Sequence, residues 1–91
     1  MQILDYNLVL TCQCCPEQYD VFDSDEKQSG YIRLRGGNFR VCYPDTGGEL
    51  VFYHRFEDDA WKGMFDNKEE REFFLTEAVN AIHNRIKEVK E

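Results

Sequence analysis

The chain has 91 residues, and residues 1–91 read as a single domain. Hydrophobic residues at 42% are enough for a packed core, so neither a metal nor disulfides are needed for folding. With 18 acidic and 11 basic residues the net charge is -7, which excludes a surface that grips nucleic acid or anionic lipid over its whole extent.

Polarity alternates over residues 3–14. Leu4, Tyr6, Leu8, Leu10, Cys12 and Cys14 share one face, and Asp5, Asn7, Thr11 and Gln13 the other. Period two predicts a half-buried strand, ended by Pro16, which cannot donate to a ladder. Residues 18–23 predict a second strand, followed by a polar turn over residues 23–27. Strands over residues 31–35 and 38–43 flank Gly36-Gly37. Glycine there supplies the positive φ of a two-residue hairpin turn. Residues 44–48 form another turn, and residues 49–56 the last strand.

Residues 57–67 read as a loop, with Trp61, Met64 and Phe65 expected to plug one end of the core. The final segment predicts a helix of about six turns. Asp66 or Asn67 can cap it, Glu69, Glu70 and Glu72 suit its positive end, and Lys87 and Lys90 its negative end. Leu75, Ala78, Val79, Ile82, Ile86 and Val89 fall on one stripe at helical spacing. Phe73 lies opposite that stripe and is expected to be covered by the Trp61 loop or by another chain.

The turns suggest a register. Leu34 is set against Phe39, Ile32 against Val41, Val41 against Phe52 and Tyr43 against Leu50. In the first hairpin Val21 is set against Ile32 and Tyr19 against Leu34. Those residues make one core face, and three hairpins agree on it. The fold class that follows is α+β: an antiparallel meander of about four to five strands with one long C-terminal helix packed on one face.

Charge is segregated along the chain. Residues 1–27 carry net -5, residues 28–56 net +2 and residues 57–91 net -4. The four middle arginines, Arg33, Arg35, Arg40 and Arg55, fall on the face turned away from the helix. Tyr31 and Tyr53 share that face with Asp20, Phe22, Cys42 and Val51, and Asp20 is placed to offset Arg33. Guanidinium forks bind carboxylate or phosphate, and rings supply a stacking surface. The competing reading is a solvated face whose arginine stems cover the aromatics. The N-terminal strand is a further candidate to cross and cover it.

Four cysteines, Cys12, Cys14, Cys15 and Cys42, read as reduced thiols, since no secretory signal is recognised at the N-terminus. A cluster of Cys12, Cys14 and Cys15 offers a metal or redox site, although two Cys-x-x-Cys knuckles are lacking. Packing of Cys12 and Cys14 as small hydrophobes competes with it. His54 has no serine or cysteine on its own face, so a nucleophilic dyad is not expected. His83 flanks the helix stripe and is expected in solvent.

The expectation is therefore a cytoplasmic, non-enzymatic binding module without a cofactor. Its partner would be an acidic protein segment or a small anionic ligand, held by Arg33, Arg35, Arg40, Arg55, Tyr31 and Tyr53. A membrane is not an expected partner, extended nucleic acid is disfavoured by the net charge, and a second copy of the chain is a further candidate. The alternative is the cysteine site.

Overall fold

In the computed structural model, residues 1–12 and 16–90 are described, apart from the side chains of Cys12, Val89 and Lys90. Six strands form one antiparallel sheet in chain order: β1 (Gln2–Ile3), β2 (Tyr6–Cys12), β3 (Glu17–Phe22), β4 (Gln28–Arg35), β5 (Asn38–Tyr43) and β6 (Glu49–Arg55). One helix, α1 (Lys68–Lys90), lies against one face and touches β1, β4, β5 and β6. The α+β meander expected from the pattern is thus present, with one strand more. The extra strand arises because the N-terminal segment is broken at Leu4, whose φ of 54° belongs to a turn. β1 folds back on β2, pairing Ile3 with Tyr6. Leu4 and Leu10, expected on the buried face, are exposed, while Tyr6 and Leu8 are buried.

The Gly36-Gly37 hairpin has the expected register, with Leu34 opposite Phe39 and Ile32 opposite Val41. Both glycines have positive φ, 56° and 78°. A Cβ on Gly37 would also stand 2.8 Å from the Asp59 carbonyl oxygen. The tight turn therefore lets the following loop pass close by, and the Gly37 N–H donates to the Lys62 carbonyl.

Two registers differ from expectation. In the first hairpin Tyr19 faces Ile32 and Val21 faces Gly30, two residues away from the expected pairing. The cause is the loop: Asp23 Oδ1 accepts from the N–H groups of Asp25 and Lys27, so the strand resumes at once. An irregularity next to Val21 absorbs the remaining offset. An even shift keeps every side chain on its face.

In the last hairpin Val41 faces Phe52 as expected, but Cys42 faces Leu50 and Tyr43 faces Glu49. A bulge between them inserts Val51 as the extra residue, which reverses the faces beyond it. Val51, expected outside, packs on the core. Leu50, expected inside, is 48% exposed.

The core lies between sheet and helix. Tyr19, Val21, Ile32, Leu34, Phe39 and Val41 meet Leu75, Ala78, Val79 and Ile82, all buried. Of the three loop residues expected to plug the core, only Phe65 is buried; Trp61 is 91% exposed and Met64 is exposed too. Phe65 fills the end because it stacks on Phe74, at 5.7 Å and 13°, and meets Phe39 edge-on. The Trp61 side chain is left outside that cluster. Phe73 is 59% exposed, so the loop does not cover it.

The loop is fastened by charge. Lys62 is buried with Nζ 2.9 Å from both Asp66 and Glu70, over the Phe56 ring. Asn67 Oδ1 accepts from the Glu70 N–H at 2.8 Å, and Glu70 Oε1 accepts from the Asp66 N–H at 3.0 Å. This reciprocal cap starts the helix. Asn67→Ala is expected to cost about 1 kcal/mol, read as a lowered urea midpoint at unchanged slope. A midpoint within error of the parent would remove the capping role.

Candidate anion-binding face

The arginine face is a product of the β4–β5 hairpin. Because the Gly36-Gly37 turn sends Leu34 and Phe39 inward, the alternate residues Arg33, Arg35 and Arg40 point outward. Arg33 stands directly opposite Arg40, and Arg35 opposite Asn38. β6 then brings Tyr53 beside Arg40 and Arg55 beside Asn38. The Arg40 guanidinium carbon is 5.6 Å from the Tyr53 ring centre, within cation–π range.

Asn38 organises the rim, which the pattern of charges did not reveal. Its Oδ1 accepts from the Tyr53 hydroxyl at 2.5 Å and from Arg55 Nη1 at 3.0 Å, and its Nδ2 donates to the Gly36 carbonyl. Arg33, Arg35, Arg40, Asn38 and Gly36 line a depression of about 360 Å³. Tyr31 stands further along β4, and its hydroxyl donates to Gln18 Oε1.

The expected Asp20–Arg33 pair does not form. Asp20 Oδ1 instead accepts from Gln28 Nε2 at 3.3 Å, because Asp20 lies opposite Tyr31 rather than Arg33. Among the described residues no carboxylate comes within 4.0 Å of Arg33, Arg35, Arg40 or Arg55. Like charges directly across a strand pair are unfavourable, so an added anion would relieve repulsion as well as gain contacts. The N-terminal strand does not cross this face; it continues the sheet edge beside β3.

The remaining candidates are dispersed. Cys14, Cys15 and the Cys12 side chain lie outside the described residues. Cys42 is a half-buried free thiol on the outer face. His54 is on the opposite face, packed on Phe56 and Phe74. His83 is exposed, yet its Nδ1 pairs with the Tyr6 hydroxyl at 3.0 Å. Among the described residues no group of three or more His, Cys, Asp or Glu side chains gathers as a metal site. No helix among them is long and apolar enough to cross a membrane.

A second polar centre was not expected. Glu17 is buried at the start of β3, and its carboxylate accepts from Arg71 Nε at 2.8 Å, Arg71 Nη2 at 3.2 Å, the Tyr19 hydroxyl at 2.5 Å and the Phe65 N–H at 3.3 Å. Burial alone would raise its pKa, but the bonds from Arg71, Tyr19 and Phe65 outweigh that and hold it below the ordinary value. Burial and the Glu17 charge push the Tyr19 hydroxyl well above its ordinary range. With every acceptor position engaged, this group ties elements together and offers no free base. The signal was present: Glu17 continues the inward alternation of Tyr19 and Val21, and Arg71 continues the stripe four residues before Leu75.

No protein-family model matches the chain, and the characterised proteins and solved structures compared with it give no significant match.

Proposed function

We propose that the chain is a binding module without chemistry of its own, whose outer sheet face holds a partner rich in carboxylate or phosphate. The observation that carries this reading is the depression between Arg33, Arg35 and Arg40, three guanidinium groups with no carboxylate of the described residues within 4.0 Å, in a chain of net charge -7. Tyr53 and Asn38 hold Arg40 and Arg55 at its border. Preorganised guanidinium forks favour planar, bidentate anions.

Calorimetric titration with hexaglutamate, and separately with inorganic pyrophosphate, tests the reading. Affinity for one of them is expected to fall about tenfold or more between low and high salt. An Arg33→Ala/Arg40→Ala double variant is expected to lose a similar factor while keeping its fold. Affinity indifferent to salt and to both substitutions, or no binding by either probe, would remove the arginine face as a site.

A further inference from the structure

β6 is an edge strand, and its free edge has a defined chemistry. The Phe56 N–H donates to the Gly37 carbonyl, and Phe39 faces His54 while Val41 faces Phe52. Antiparallel ladders alternate, so the main-chain groups of Phe52, His54 and Phe56 turn toward β5. Those of Tyr53 and Arg55 therefore turn outward. Both residues are exposed, and both carry their side chains on the arginine face.

Resting on the reading above, we propose that the partner is an extended acidic protein segment that adds to β6 as a seventh strand. Main-chain bonds to Tyr53 and Arg55 would fix it, and every second side chain would lie beside Arg55, Tyr53 and Arg40 on the outer face. The intervening side chains turn to the helix side. There a groove of about 650 Å³ runs between Leu50 and Val51 on the strand and Ala81, Asn84 and Arg85 on the helix.

Charge selects both the edge and the occupant. At the opposite edge β1 and the Met1 amino group, which donates to the Leu8 carbonyl, already cover the first half of β2. That edge belongs to residues 1–27, which carry net -5 and repel an acidic strand. Pairing of β6 with β6 of a second copy would bring two arginine faces side by side, which like-charge repulsion opposes.

The test is amide hydrogen exchange, read by NMR, on the intact chain with a capped peptide alternating glutamate and valine. The Tyr53 and Arg55 amides are expected to slow about tenfold or more on binding. Those of Phe52 and His54, already in the ladder, are expected to change little. Pyrophosphate is expected to leave all four unchanged. A peptide that binds with the Arg33 and Arg40 dependence but leaves Tyr53 and Arg55 exchanging freely would overturn strand addition and leave the anion-binding reading standing. Failure of both peptide and pyrophosphate to bind would overturn both. Slow Tyr53 and Arg55 exchange without peptide, together with a doubled mass in solution, would assign the edge to a second copy and overturn the proposal.

Discussion

Ile82→Ala is expected to destabilise the fold by about 2–5 kcal/mol. Ile82 is 0% exposed and belongs to the stripe that closes the core. Its Cδ1 occupies the space that a Cβ on Gly30 would need, so the strand has given up a side chain to admit it. Removing three carbons there leaves a void bordered by β4 and the helix, which cannot both close in without breaking the sheet ladder. Against a total of about 5–15 kcal/mol for a domain, that is a large share. Arg33→Ala, on the other face, is expected to cost well under about 1 kcal/mol, mostly from contacts of its aliphatic stem. Urea melts of the two variants decide the ordering. An Arg33→Ala variant as damaged as Ile82→Ala would mean that the arginine face is covered in solution, and the binding surface would not exist in the free chain.

Much of this architecture is legible in the sequence because period and turn chemistry are local signals. Gly36-Gly37 fixes one hairpin, and the face of every residue in it follows. The stripe from Leu75 to Ile82 is likewise written in spacing alone. What was not legible depends on events that add or remove one residue. The bulge at Val51 exchanges the faces of Leu50 and Val51, and no feature of that segment announces it. The turn at Leu4 needs a positive φ from a residue that rarely adopts one. The size of Trp61 points it inward, but the position at the core's end belongs to Phe65, which has Phe74 and Phe39 beside it.

The arginine face was legible because it follows from hairpin parity. Its border was not: Asn38 is a neutral residue whose value lies in joining Tyr53 and Arg55 across β5 and β6, a relation between distant positions. The Glu17–Arg71 pair escaped for the same reason, its members lying 54 positions apart in the chain. Each half followed the apolar pattern of its own element, and only the tertiary fold brings the halves together.

Glu17→Ala is expected to cost about 2–4 kcal/mol, somewhat less than the loss of one member of a fully buried pair because the Arg71 side chain retains contact with water. Four hydrogen bonds disappear with the carboxylate. The Phe65 N–H and the Tyr19 hydroxyl lose their acceptor in a site closed to solvent, where an unmatched donor is costly. The end of the core should loosen with it, since Phe65 is held there partly by that bond. The pH dependence has a definite sign. The folded-state pKa of Glu17 is held below its ordinary 4.5, so its contribution is fully present above that value and is lost as pH falls through the lowered one. Urea melts of the parent and of Glu17→Gln should therefore differ most near neutrality, and the gap should narrow below about pH 4 as the parent carboxylate takes up its proton. A gap that stays constant down to the acid limit would show that the ion pair contributes nothing beyond shape. Arg71 would then be a solvated residue resting on the end of the sheet, and the loop would be held by the Lys62 and Phe65 side chains and by the main-chain bonds from Glu17 and Gly37.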